Sequence, residues 1–505
     1  MAVLRPGVYV EETLNPVAPV VGPNSASVGA FIGANDRGPI GTPTLITSWS
    51  QYSTLYGTWN TSTGAGAAGN DLPLAVYMFF TNGGSQCYVN RVANGATSAT
   101  RSLSDRAVSP SATLQIQANN AGAWGNSINI SIANSATTGL FDLFVYYGGN
   151  TDANLVERHV DLSMTATNAR YATAIVNAAS GYVRLTDLNS ANTGTTRNPA
   201  VVTNQTLSTG INGNTLGNTD YATGLTNFDT IKQSLIMNVP GNSTVPVVNA
   251  AIGYENSRQD VFVVIDGIYD ESSTQLALAA QYTASSLAAV YYPNLVISDP
   301  TLAPGSGTGR TRAVGSGAAV MGVIATTDAS RGVFKAPAGL LARLSGVVSI
   351  ATLTNGELDT LNSAAAPVNA IKFVPGSGIV IMGSRTLKGG YVDKYVPVRR
   401  TLIYLRKSLT DLTEFAIFEP NDEALWNRMN SSISTFLTDF WSKGGLRGAT
   451  PQAAFFVKVD AQNNPQSSID NGYVNIEVGV ALQRPAEFII IKIGQFDGGA
   501  TVTVA

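Results

Sequence analysis

The sequence predicts an α/β, mixed α+β chain of several domains: a mixed-sheet core, a β-rich inserted domain and a strand-donating arm at each terminus. Three observations lead there. Apolar strands alternate with helical patterns on both sides of a long segment rich in Ser, Thr, Asn, Ala and Gly. Charge gathers in the last quarter, where 13 of the 30 basic residues follow residue 380. Both ends carry short apolar strands, RPGVYVEE at 5–12 and RPAEFIIIKIGQF at 484–496.

Taken in order, Val8 and Val10 alternate with Tyr9 and Glu11 as a period-two strand, and residues 1–20 form the first arm. SASVGAFIGANDRGP then gives a buried strand and a Gly/Pro loop, and PTLITSWSQYSTLYG a passage from strand to helix. DLPLAVYMFFTNGGSQCYVNRV reads as a helix stopped by Gly83 and Gly84, followed by a strand through Tyr88 and Val92. Residues 96–225, with LQIQA, SINISI and LFDLFVYYGG between turn residues, form the inserted β domain. The core, 21–95 plus 226–380, resumes with DVFVVIDG, a helix over STQLALAAQYTASSLAAVYY and the strand PNLVISDP.

A C-terminal domain spans 381–486. VPVRRTLIYLRKSLTDLTEF sets Val398, Leu402, Leu405, Leu409 and Leu412 at helical spacing, with Arg399, Arg400, Arg406 and Lys407 off that stripe. PNDEALWNRMNSSISTFLTDFWSKGG is a helix capped by Asn421, with Asp422 and Glu423 in the first turn and Lys443 in the last. Its stripe is Leu425, Met429, Ile433, Phe436 and Phe440, and Gly444 and Gly445 stop it. AAFFVKVD and GYVNIEVGVAL read as strands, and residues 487–505 make the second arm.

Composition narrows function. Charged residues are 12% of the chain and the net charge is −3, which gives no general attraction to nucleic acid or anionic lipid. Cys87 and His159 stand alone, which removes an internal disulfide and a Cys/His zinc cluster; Cys87 reads as a small buried hydrophobe and His159 as structural. The start lacks a signal-peptide pattern, and apolar runs such as VFVVI fall far short of the roughly 20 residues that span a bilayer. APGSGTGRT at 303–311 imitates a phosphate loop, but Pro304 and Arg310 occupy the places of a Gly and a Lys, which argues against a nucleotide hydrolase acting through Arg310 and Thr311. Asp266, Asp270 and Glu271 match no calcium loop and read as a cap and a solvated turn. No catalytic, cofactor or metal residue is expected, and the chain is not expected to be an enzyme.

An extended apolar strand at each terminus can augment a neighbour's sheet, and head-to-tail exchange builds rings or helices. Phe488, Ile489, Ile490, Ile491 and Ile493 carry the second arm, and Val474, Ile476 and Val478 offer an accepting edge. A capsid or surface-lattice protein shares this uncharged polar composition.

The segments SGAAVMGVIATTDASRGVFKAPAG, VNAIKFVPGSGIVIMGSRTL, YVPVRRTLIYLRKSL, FAIFEPNDEALWNRM and AAFFVKVD…GYVNIEVGVALQRPAEFIIIKI, with RPGVYVEE and GAWGNSINI, resemble contractile phage tail sheath proteins and the sheaths of phage-derived injection systems. The resemblance covers most of 1–35 and 316–495. It implies a homo-oligomer of stacked, helically arranged rings around an inner tube protein, with baseplate and tail terminator proteins as further partners. It further implies a virion tail assembled in the host cytoplasm, contraction from a metastable extended state, and exchange of terminal strands between neighbours. The tube-facing surface then lies in the C-terminal domain, with Arg399, Arg400, Arg406, Lys407, Trp426 and Lys443 as contact candidates, and the insert faces outward.

Overall fold

The computed structural model describes residues 27–59, 71–269, 271–300, 311–389 and 394–487. The chain opens with β1 (Val28–Gly33), β2 (Thr44–Ile46), α1 (Trp49–Tyr56), α2 (Asp71–Thr81) and β3 (Cys87–Arg91). It then leaves the core for the insert: β4 (Thr100–Ser104), β5 (Ala112–Ala118), β6 (Ile128–Asn134), β7 (Phe141–Tyr147), β8 (Leu155–Leu162), α3 (Ala172–Ala179), β9 (Val183–Asp187) and β10 (Val202–Thr206). On its return come α4 (Asn218–Thr226), β11 (Leu235–Asn238), α5 (Val245–Arg258), β12 (Val261–Ile265), α6 (Ser272–Ala279) and β13 (Ala288–Tyr292). β14 (Leu295–Ser298), β15 (Thr311–Val314), α7 (Gly317–Arg331), β16 (Ser349–Ile350), α8 (Asn355–Ser363), β17 (Val368–Val374) and β18 (Gly378–Ile381) complete the core.

Eight strands form one sheet in the order β18-β17-β13-β12-β11-β1-β3-β2. Its six inner strands are parallel, and β2 and β18 are antiparallel edges. Both faces must therefore be covered, and the residues divide accordingly. Val261, Val263 and Ile265 of β12 enter the layer under α4, α5 and α8, while Phe262 and Val264 enter the layer under α2 and α7. β13 repeats this division, with Ala288, Val290 and Tyr292 on one side and Ala289 and Tyr291 on the other. This explains one departure from the sequence reading. AAVYY lies in a stretch whose alanines suggest helix, yet α6 ends at Ala279 and the five residues form a wholly buried strand. Burial between two parallel neighbours overrides local propensity.

The insert folds over its own apolar cluster. One sheet, β4-β5-β9, faces another, β10-β6-β7-β8, across Leu114, Ile116 and Leu185 on one side and Ile130, Ile132, Leu143 and Val145 on the other. The return to the core comes earlier than residue 225, because Leu216, Tyr221 and Leu225 pack with the core cluster that holds β1 and α5.

At the exit, Arg37 from the loop after β1 is 7% exposed and sits between insert rings, 4.7 Å from the Trp124 centroid and 4.4 Å from that of Tyr182. Nearby, Asn212 Nδ2 donates to Asp36 at 2.8 Å, and Asn212 Oδ1 accepts the Ala123 amide at 2.7 Å. Gly122 holds φ at +140°, and a Cβ there would lie 2.2 Å from the Asp36 carbonyl oxygen. GAWGNSI is thus the place where insert meets core.

The C-terminal domain comprises α9 (Val396–Thr413), α10 (Glu423–Ser442), α11 (Pro451–Ala454), β19 (Phe455–Lys458), α12 (Gln466–Asp470) and β20 (Glu477–Val480). α10 buries Leu425, Met429, Ile433 and Phe440 as its spacing predicts, with Trp426 and Leu437 beside them. Its cap is Asp422, whose side chain accepts the Leu425 amide at 2.8 Å. Asn421, the expected cap, instead accepts from the Trp426 indole at 2.8 Å and donates to the Tyr473 carbonyl.

Glu255 on α5 is buried; burial pushes its carboxyl up to about 8, against the pull of the Ser285 hydroxyl that donates to it. A folded-state value raised this far means the stability present below about pH 4.5 is lost as pH rises through 8. Glu255→Gln, an isostere of the protonated acid, is expected to match the wild-type Tm at pH 5 and to exceed it at pH 9. A Tm difference that stays constant from pH 5 to 9 would show that this carboxyl does not titrate on unfolding.

Candidate subunit-linking site

β19 and β20 form an antiparallel pair in which Phe455 faces Val480, Phe456 faces Gly479, Val457 faces Val478 and Lys458 faces Glu477. Apolar side chains turn toward α10: Val478 and Ile476 pack with Ile433, Leu437 and Phe440, and Val474 packs with Trp426 and Met429. Val474 and Ile476 precede β20 rather than lying within it. Among the described residues the sheet has only these two strands, a short ladder with outer edges open to further main-chain pairing. Such an edge offers alternating amide and carbonyl groups on a support fixed by α10. Val8, Tyr9, Val10, Glu11, Phe488, Ile489, Ile490, Ile491 and Ile493 lie outside the described residues.

Glu487, the first residue of the expected second arm and the last of the described residues, is held fast. Arg385 grips it with two bonds, Nε to Oε1 and Nη2 to Oε2, each 2.6 Å. The Tyr395 hydroxyl adds a third at 3.1 Å, and Lys394 lies 3.7 Å away. Burial alone would raise the Glu487 carboxyl; the Arg385 bonds and charge, Tyr395 and Lys394 outweigh it and hold the carboxyl below its ordinary range. Arg385 is itself fixed, since its amide donates to Asn369 Oδ1 at 2.6 Å, its carbonyl accepts from Asn369 Nδ2 at 2.7 Å, and Nη1 donates to the Asn362 carbonyl. Asn369 belongs to β17 and Asn362 to α8, so the contact ends in the core sheet.

The basic residues of α9 do not make one open face. Arg400 is 2% exposed and donates from both terminal nitrogens to Asp328 of α7, at 2.9 Å for Nη1. Ser27 donates to the same carboxylate at 2.7 Å. Arg399 is half-buried and its charge acts on Glu255 of α5; Arg406 donates to Gln259 at the end of α5; Lys407 pairs with Asp411 one turn on. The helix lies between two bodies, which also alters its stripe. Val398, Ile403 and Leu405 are buried, whereas Leu402, Leu409 and Leu412 are only partly so. Arg400 and Trp426 are therefore inside the protein and present nothing to a partner, while Arg406 and Lys443 are exposed. Lys443 pairs with Asp439 at 2.7 Å on the surface.

The residues weighed for chemistry have structural places. Cys87 is buried in β3, and burial pushes its thiol well up. His159 in β8 meets Glu157 at 3.1 Å. Asp266 corrects the solvated-turn reading: it is buried, accepts the Gly241 and Gly317 amides at 3.0 and 2.7 Å, and so fixes the start of α7. Glu271 is the N-cap residue of α6, and Asp270 lies outside the described residues. Arg310 and the loop before it do too, but Thr311 enters β15 opposite Ser298, where a phosphate loop would enter a helix. Among the described residues no group of three or more His, Cys, Asp and Glu side chains could hold a metal ion. No helix among them is long and apolar enough to cross a membrane.

A doubly wound eight-stranded sheet, a β insert after its third strand and a helical C-terminal domain with a two-stranded ladder make a fold that this chain shares with solved sheath proteins. The chain superposes on one from the anti-feeding prophage baseplate with a TM-score of 0.60 at 21% identity, covering 98% of this chain and 99% of that one. Against the contracted sheath complex of the PVC extracellular contractile injection system the TM-score is 0.59 at 22% identity, with 98% of each chain covered. Against the sheath tail protein of Listeria innocua it is 0.62 at 14% identity, covering 86% and 89%. In sequence, residues 394–496 match the family model of the phage tail sheath C-terminal domain. The tail sheath protein of Vibrio phage KVP40 is 28% identical over 177 residues, 34% of this chain, and the chain spans 25% of that relative's length. The resemblance read from the motifs and the mixed-sheet fold class are both borne out.

Sequence reasoning overlooked Asp328, Arg37 and Arg385. All three were within quoted segments, Arg37 in the loop of GANDRGP, Asp328 in IATTDASRG and Arg385 in GSRTL, and the last two carried a signal as charged residues beside apolar runs. Removing one partner of the buried Arg400–Asp328 pair leaves an uncompensated charge, a loss of about 3–5 kcal/mol. Asp328→Asn is expected to lose that much in urea unfolding, and Arg400→Met with Asp328→Leu to recover most of it. A loss under about 1 kcal/mol in the single variant would mean the pair is not desolvated in solution.

Proposed function

We propose that this chain is the subunit of a contractile sheath, which polymerises helically around an inner tube and shortens from a metastable extended state to drive that tube through a cell envelope. One observation carries the reading. The fold likeness to a chain of a contracted sheath complex runs over 98% of both chains, so insert, core and C-terminal domain correspond together. The sheath-domain match at 394–496 falls on the segment that holds α9, α10 and the β19–β20 ladder.

In this reading the arms at 1–20 and 487–505 add strands to the ladders of neighbouring copies, main-chain bonds supplying the link. The C-terminal domain, 381–486, faces the tube, with Arg399, Arg406, Lys407 and Lys443 the remaining cationic candidates, and the insert faces outward. Partners are further copies of the chain, the tube protein, and baseplate and terminator proteins. The site is the tail of a virion, or the equivalent part of an injection device, assembled in the host cytoplasm. No nucleotide is needed, because contraction runs downhill through surface buried between subunits in the shortened state.

Negative-stain electron microscopy of the full-length chain, beside chains lacking residues 1–13 or ending at Glu487, tests this. Long tubes are expected from the first, with tube protein added if required, and folded, dispersed particles from the other two. Tubes of equal length from both shortened chains would remove strand donation. Flat sheets or shells from the full chain would favour a surface-lattice protein instead.

A further inference from the structure

We propose that the Arg385–Glu487 clasp is the anchor that transmits load from the C-terminal strand into the core sheet, making Arg385 and Glu487 positioning residues for strand exchange. This rests on the sheath reading for its purpose, but the clasp itself can be tested in a single subunit.

The connection from core to C-terminal domain is folded back on itself at one place. Residues 383–387 leave β18, and residues 394–396 enter α9; they are bonded to each other through Thr386 N to Lys394 O at 2.9 Å and Val396 N to Ser384 O at 3.0 Å. Glu487, the last described residue and the first of the proposed arm, bonds to Arg385 on the first limb and Tyr395 on the second. Both limbs of the connection and the root of the proposed arm therefore meet at one carboxylate.

Main-chain pairing with a neighbour is strong only while the donated strand has something rigid behind it. Were the arm held by its own chain alone, a pull would peel Leu482 and Gln483 from Leu446, the contacts made one after another on that side. Three bonds broken together resist far better than the same number broken in turn. The clasp diverts the pull to Arg385, then through Asn369 to β17 and through Asn362 to α8. A neighbour pulling on the strand thus turns the subunit as a body. Arg385 suits the task, because its planar fork fixes direction as well as distance, and a lysine could make only one of the two bonds.

Force spectroscopy on the full chain reads this directly, with handles at Thr138→Cys in the insert and Ala505→Cys at the end; Cys87 is buried and leaves the labelling clean. Wild type is expected to hold its tail until the body yields. Glu487→Gln and Arg385→Lys are expected to add an early, short extension from release of the tail, with a lifetime under load shorter by on the order of tenfold. Lys394→Ala, which removes the most distant partner, should behave as wild type. An unchanged trace in Glu487→Gln overturns the proposal, as does an early event of equal lifetime in wild type. Because the trace comes from single subunits, it is independent of tube formation. A chain that forms no tubes yet releases its tail early in Glu487→Gln keeps the clasp and loses the sheath reading.

Discussion

The placement of the C-terminal domain depends on one buried ion pair. Arg400 and Asp328 are 2% and 7% exposed in their side chains, and they join α9 to α7 across the boundary between that domain and the core. Ser27 on the same carboxylate brings the start of β1 to the same point. Desolvated charges of this kind add little net stability over apolar residues of the same shape, but they penalise every arrangement in which they part. In a chain with 12% charged residues, such a pair acts chiefly to define one docking geometry.

The same economy of charge appears elsewhere. Arg37 lies among three insert rings, Arg385 holds Glu487, Arg258 pairs with Asp260, and Arg91 donates to the Gly38 and Ala121 carbonyls. Each of these cations also reaches another segment, Arg258 by donating to the Phe228, Ile231 and Gln233 carbonyls. The outer surface is left to Ser, Thr and Asn, whose hydrogen bonds are satisfied locally or by water and exert little long-range repulsion between copies. Close stacking of identical subunits is easier for such a surface than for one with a large charge of one sign.

Much of this was legible from the chain. β1, α2 and α10 stand where apolar spacing and glycine stops put them, because their patterns come from local periodicity. The insert's strands were readable for the same reason. What could not be read are facts of pairing at a distance: Arg400 with Asp328 is a separation of 72 residues, and Arg385 with Glu487 one of 102. A basic stripe on a helix looks the same whether it meets water or buried carboxylates, so α9 was misread although its helical extent was right. AAVYY failed differently, since the strands on either side of it outweigh the preference of alanine for helix.

The Arg37 junction carries a consequence of another kind. The insert leaves and rejoins the core through a small set of contacts: the guanidinium among Trp124, Tyr147 and Tyr182, the Asn212 bridge, and Gly122 against Asp36. Its own apolar cluster shares no member with the two that flank the core sheet. A module attached this way is exchangeable, because whatever keeps the ring-and-glycine socket inherits the same seat. That makes the insert a ready graft position, where a foreign domain carrying the same socket can be seated without disturbing the sheet beneath.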